Sequence, residues 1–187
     1  MAGEQDKADE TPKPAGPVVE MVPEGDNRLR MVCTDCGFIH YRNPLVVVGA
    51  VCAWEGRILL CRRAIDPRRG YWTIPAGYLE LKETTQHGAA REAWEEAGAR
   101  IAPEDVLAVY SIPRLSQVQV IYRAPLMSPD IEAGPESLEV GLFGWSEIPW
   151  EDLAFPSVRW ALDHYRSYLE SGDPTPRGNP PGETGRY

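Results

Sequence analysis

One stretch narrows the folds open to this chain more than any other. Tyr71 to Ile74 reads as a short strand and Pro75-Ala76-Gly77 as a turn. After a polar loop, Thr84 or Thr85 can cap a helix that runs to Ala97, where Gly98 supplies the usual left-handed stop. Strand, tight turn and helix must therefore form one unit. On the helix Glu92, Glu95 and Glu96 stand at i, i+3 and i+4, so their carboxylates share a face, while Ala89, Ala90, Ala93, Trp94 and Ala97 occupy much of the remainder. A charge run of this kind is ordinarily a solvated surface. Like charges at these offsets nevertheless repel by about 0.2–0.5 kcal/mol per pair. Arg91 offsets part of that cost, and a divalent cation would remove it. Hard oxygen donors so spaced suit magnesium, with manganese as the alternative, and either ion chelates the nonbridging oxygens of a pyrophosphate.

Strand and helix signals alternate irregularly around this unit, which predicts a mixed α/β domain. Leu45 to Trp54 is an apolar, valine-rich run that ends at Glu55-Gly56 and resumes from Arg57 to Cys61, the pattern of a hairpin. Val106 to Ile112, Val118 to Leu126 and Glu139 to Trp145 read as further strands. Pro156 suits the first turn of a last helix, with Val158, Leu162, Tyr165 and Leu169 at helical spacing. Residues 1–27 and 172–187 mix Pro, Gly and polar side chains with few large apolar ones, so both are expected to be flexible tails.

With 187 residues, one catalytic domain is the default. The formal net charge of -9 disfavours attraction to nucleic acid or to anionic membranes, both of which need basic patches. No apolar run approaches the roughly 20 residues of a membrane helix, and the acidic, proline-bearing start does not read as a secretory signal. A cytoplasmic location is the resulting expectation. Four cysteines, Cys33, Cys36, Cys52 and Cys61, are then thiols or metal ligands rather than disulfides.

Read together, loop and helix give Gly77, five residues, Glu83, seven residues, then Arg91-Glu92-Ala93-Trp94-Glu95-Glu96-Ala97-Gly98-Ala99. This resembles the complete box of the Nudix hydrolases, G-x5-E-x7-R-E-U-x-E-E-x-G-U, and Gly70 to Ala76 resembles the strand that enters it. The resemblance implies a Nudix fold, a mixed β-sheet sandwiched between α-helices, over residues 43–171. It implies metal-dependent hydrolysis of a pyrophosphate bond in a nucleoside diphosphate derivative. By the same resemblance Glu95 and Glu96 are metal ligands, Glu92 is a ligand or positions water, and Gly77 offers its backbone carbonyl. Arg91 orients the carboxylates and Glu83 supports the box. Glu139, in Gly134-Pro135-Glu136-Ser137-Leu138-Glu139, lies where the family often places a further ligand or base, and is equally readable as a surface glutamate. The partner expected is a small nucleotide, with room for a homodimer.

Cys33-Thr34-Asp35-Cys36-Gly37 is one half of a zinc-ribbon knuckle, and with Ile39 to Pro44 it resembles Nudix enzymes that carry such a ribbon. A closed zinc site needs four ligands, and no second cysteine pair lies upstream. Residues 28–42 therefore read as a degenerate ribbon, zinc is not expected, and Cys52 and Cys61 are expected in buried strands. The half ribbon, the box and the Gly-Pro-Glu-Ser-Leu-Glu segment most resemble the FAD and ADP-ribose pyrophosphatase branch. NADH or nucleoside triphosphates are the alternative substrates, and a noncatalytic ligand sensor or a ribbon-type nucleic-acid binder the alternative classes. Arg62, Arg63, Arg68 and Arg69 can meet phosphate, and Tyr71, Trp72 or Trp145 can stack on adenine, although each is equally readable as solvated charge or core.

Overall fold

The computed structural model describes residues 15–185, which fall into two units divided between Asn43 and Pro44. The first is a three-stranded antiparallel sheet of β1 (Val19–Met21), β2 (Arg30–Val32) and β3 (Ile39–His40), in that order. Between β2 and β3 the Cys33–Gly37 knuckle closes on itself. The Gly37 N–H donates to the Cys33 carbonyl at 2.8 Å and the Cys33 N–H to the Phe38 carbonyl at 2.8 Å. Gly37 supplies the left-handed residue, with φ of 74°. β1 lies within the stretch expected as a tail through residue 27: Val18, Val19, Met21 and Val22 give the Pro-flanked segment enough β-forming character to pair with β2. The part of that expectation covering residues 1–14 lies outside the described residues.

The second unit is built on β4 (Leu45–Trp54), β5 (Arg57–Arg63), β6 (Trp72–Thr73), β7 (Ala76–Tyr78), α1 (Thr85–Ala97), β8 (Val106–Ile112), β9 (Gln117–Pro125), β10 (Ser137–Phe143) and α2 (Pro156–Ser171). The main sheet runs β10-β5-β4-β9-β8, with β6 added to β5 and β7 to β4. β4 and β9 are parallel and the other pairs antiparallel. The expected hairpin turn is made by Glu55 and Gly56, at φ of 45° and 78°. No helix among the described residues is long and apolar enough to cross a membrane.

Strand alternation explains why helices are needed on both faces. Val51, Ile58 and Leu60 point into one core with Tyr110, Trp160 and Leu162, the α2 side. Their neighbours Ala50, Cys52, Leu59 and Cys61 point into the other, against Ala89, Ala93 and Ala97 of α1. Each buried Leu or Ile contributes about 1.5–3 kcal/mol. Alanine at every fourth position lets α1 lie close to the sheet. Cys52 and Cys61 are buried strand residues, and burial pushes both thiols well above their ordinary range. α1 begins at Thr84, whose side chain accepts from the His87 N–H at 3.2 Å, and ends at Gly98, φ 57°.

Beyond α2, the described part of the stretch expected as a second tail pairs with the sheet. Arg177 bridges in parallel to the edge strand β8: the Val109 N–H donates to the Arg177 carbonyl and the Arg177 N–H to the Leu107 carbonyl, each at 2.9 Å. A Pro- and Gly-rich composition signals weak self-burial, but it does not register that an unpaired strand edge has free N–H and C=O groups to satisfy.

Candidate active site

The site lies where β7 hands the chain to the loop before α1. β7 pairs with β4 through Val47–Tyr78, Val48–Gly77 and Gly49–Ala76. Gly49 must be glycine, since an added Cβ would stand 2.4 Å from the Ala76 Cβ. The same holds for Gly77, where a Cβ would meet the Glu92 carboxylate at 2.3–2.4 Å. Gly77 and Glu92, fifteen positions apart, are thus in direct apposition.

Arg91 organises the carboxylates. Its Nε and Nη2 grip the two oxygens of Glu83 at 3.0 and 3.1 Å, and its Nη1 donates to Glu92 at 2.8 Å and to Glu95 at 2.7 Å. Nη2 also donates to the Tyr78 carbonyl at 2.9 Å. One guanidinium therefore ties the loop, β7 and α1 together, a task that suits its planar fork. It holds the Glu83 carboxyl below the usual carboxylate range.

Glu92 and Glu96 are buried whereas Glu95 is exposed. Glu96 accepts from the Ala76 N–H at 3.3 Å. Burial first, and then the neighbouring Glu92 charge, push its carboxyl up to about 8. Burial also lifts Glu92, against the pull of Arg91. Two buried acids side by side, one lacking a cationic partner at contact distance, make a donor set whose charge calls for a hard cation. As placed, no three such side chains among the described residues close on one point. Arg91 Nη1 holds Glu92 and Glu95, while Glu96 lies apart against Ala76.

Most of the expected site residues come together. Gly77, Arg91, Glu92, Glu95 and Glu96 line a single cleft of about 2010 Å³, and Glu83 stands behind Arg91. Glu139, expected as a further ligand or base, does not line it. It sits on β10 opposite Arg62, pairs with that guanidinium at 3.5 Å and is exposed. Glu136 lines the cleft instead, close enough for its charge to raise Glu92 and Glu96. It is delivered by a loop bound to the end of α1, in which the Glu132 N–H donates to the Ala97 carbonyl at 2.8 Å and the Gly134 N–H to the Glu96 carbonyl at 3.0 Å. At Gly134 a Cβ would fall 1.7 Å from the Glu95 carbonyl oxygen. The available signal was Gly134-Pro135, which ends a loop immediately before the strand and so leaves Glu136 at the loop's end, while Glu139 lies within β10.

Of the four arginines, Arg63 and Arg68 line the cleft and Arg62 does not. Arg63 lies near enough to Glu96 to favour its ionised form. Tyr71, Trp72 and Trp145 are outside the cleft: Tyr71 carries the Arg68 guanidinium at 3.9 Å, Trp72 packs edge-on to Phe143 at 4.9 Å, and Trp145 stacks with Trp150 at 6.3 Å. The aromatic rings that do line it are Tyr78, Trp94 and Phe155.

The NUDIX domain family model matches residues 42–168, and a second model, described as Nudix N-terminal, matches residues 13–42. A crystal structure of a NUDIX hydrolase from Nitrosomonas europaea is 47% identical, with a TM-score of 0.82 over 87% of this chain and 93% of that one. An ADP-ribose pyrophosphatase from Methanocaldococcus jannaschii is 28% identical over 130 residues, 67% of this chain and 76% of that protein. A MutT-like protein of Streptomyces ambofaciens is 40% identical over 77 residues, 41% of this chain and 48% of its own length. The zinc associated with the N-terminal ribbon does not fit the residues described. Cys33 and Cys36 form one knuckle, and opposite it the Ala15 N–H donates to the Asp35 carboxylate at 3.0 Å, a hydrogen bond and not a second ligand pair.

Proposed function

This chain belongs to the Nudix hydrolase family, and we propose that it hydrolyses the pyrophosphate bond of ADP-ribose or FAD with magnesium, or manganese in its place, held by Glu92, Glu95, Glu96 and the Gly77 carbonyl. The observation that carries this reading is the gathering of these groups and Glu136 around one cleft, with Arg63 on the same lining and near enough to the buried Glu96 to favour its ionised form. A cation bound there neutralises charge on the pyrophosphate and acidifies water. Glu136, on its tethered loop, accepts the proton of the attacking water. Arg63 offers a guanidinium to the phosphate oxygens. Arg91 and Glu83 touch no substrate and act by keeping the α1 carboxylates in register with β7. ADP-ribose is placed first because the Methanocaldococcus jannaschii relative is an ADP-ribose pyrophosphatase. Four reduced cysteines, three of them buried, suit a reducing compartment such as the cytoplasm.

The test is a comparison of kcat/KM for ADP-ribose, FAD, NADH and a deoxynucleoside triphosphate under one magnesium concentration, with product identification. AMP with ribose 5-phosphate, or AMP with FMN, is the expected product pair. Preferred cleavage of the triphosphate would overturn the substrate assignment, and full activity in excess chelator would overturn the metal assignment.

A further inference from the structure

The chain after α2 runs on from the edge of β8 to the cleft. Asn179 exchanges two hydrogen bonds with the backbone of Ser111: the Ser111 N–H donates to Oδ1 at 2.9 Å, and Nδ2 donates to the Ser111 carbonyl at 2.8 Å. The same Nδ2 donates to the Glu183 carbonyl at 3.0 Å, which folds the following residues back toward the sheet. An ion pair between Arg177 and Asp173 at 2.7 Å steadies the approach. The segment brings in Gly185, which is buried, has φ of 75° and lies directly against Ile112.

Gly185 and Ile112 both line the cleft that holds the box carboxylates. From Ile112 the cleft continues onto β9, where Gln117, Gln119 and Ile121 alternate onto one face. The Gln117 amide donates to the Tyr78 hydroxyl at 3.2 Å, so this end of the cleft connects to the β7 segment that carries Gly77. It offers an apolar floor with amide groups along one side. That combination fits a planar heterocycle with polar edges, not a second phosphate.

Resting on the reading of this cleft as a pyrophosphatase site, we propose that Gly185 against Ile112 closes one side of a nucleobase subsite, held there by the segment 173–185 with Asn179 as its clasp. The box then handles the diphosphate, and this wall sets affinity for the base.

The experiment compares the full chain with three variants: a chain ending at Gly172, Asn179→Ala and Gly185→Val. At Gly185 a Cβ would stand 2.8 Å from Ile112 Cδ1, and the positive φ adds backbone strain, so valine unseats the wall without removing it. KM for ADP-ribose, kcat, and calorimetric affinities for AMP and for ribose 5-phosphate are measured. The expected result is a rise in KM of at least about tenfold in the shortened chain and in Gly185→Val, the loss expected when an apolar wall is opened to water. kcat changes much less, AMP affinity falls in parallel, and ribose 5-phosphate affinity holds. Unchanged KM and AMP affinity in Gly185→Val would overturn the proposal while leaving the hydrolase reading intact. If the full chain does not cleave ADP-ribose but AMP affinity still depends on Gly185, the substrate assignment fails and the subsite stands. Should the shortened chain not fold by circular dichroism, Gly185→Val decides alone.

Discussion

Replacing Glu96 with Gln should make the metal-free protein more stable and the enzyme inactive. The Glu96 carboxyl is raised from its ordinary 4.5 to about 8 by burial and by Glu92. Between those values the folded chain binds more protons than the unfolded one, so stability falls as pH rises through the window and the loss is complete above about 8. A shift of this size is equivalent to about 4–5 kcal/mol at the alkaline limit. Glutamine keeps the shape and can still accept from the Ala76 N–H, but it carries no charge to desolvate. At about 2–4 °C per kcal/mol for a chain of this size, the variant should melt at least about 8 °C above the parent near pH 9 in chelator. Near pH 5 the two should nearly coincide. Added magnesium should raise the melting point of the parent and leave the variant where it was, because the ion relieves the same buried charge. Turnover should fall about a thousandfold, equivalent to about 4 kcal/mol of barrier. Melting curves from about pH 5 to 9, with and without magnesium, and single-substrate kinetics provide the check. If the variant is no more stable than the parent at alkaline pH and still turns over in magnesium, the account of Glu96 as an uncompensated ligand is wrong.

Three other outcomes are expected. Glu136→Gln should lower kcat about a hundredfold or more while Glu139→Gln stays within about twofold, as measured by steady-state kinetics; the reverse order would restore Glu139 as the base. Gly77→Ala should abolish most activity in a folded protein, because its Cβ would meet the Glu92 carboxylate at 2.3–2.4 Å; wild-type turnover would mean that the two segments separate freely. Elemental analysis of the purified chain should find zinc well below one ion per molecule, and a tightly held stoichiometric zinc would show that a ligand set beyond Cys33 and Cys36 exists.

The sequence made the strand–turn–helix unit legible because each of its parts leaves a local signature: the Pro75-Ala76-Gly77 turn, the Thr84 cap, the Gly98 stop and three carboxylates at helical offsets. The hairpin of β4 and β5 was legible for the same reason. Glu139 was placed by resemblance to a segment position alone, and such a placement does not register that the pairing of β10 on β5 shifts between Ser137 and Glu139, opposite Arg62 and Arg63. β7 was absorbed into the turn, since three residues are too few for a period and their pairing depends on Gly49 far upstream. The segment after α2 was invisible for a different reason. What holds it is backbone hydrogen bonding to β8 and a single Asn179 side chain, neither of which changes hydrophobic pattern.

The loop carrying Glu136 has a consequence for how this enzyme can change. Because Gly134 rests on the Glu95 carbonyl with no space for a side chain, the loop is not an exchangeable module; its length and the end of α1 must be inherited as a pair. Drift at position 134 would be purged as severely as drift at a box glutamate, even though the glycine has no side chain to offer the reaction. Directed evolution toward new substrates should therefore accept few mutations between Glu132 and Glu136. Accepted changes should accumulate at Ile112 to Gln119 and in the segment after α2, where the cleft wall can be altered without moving a carboxylate.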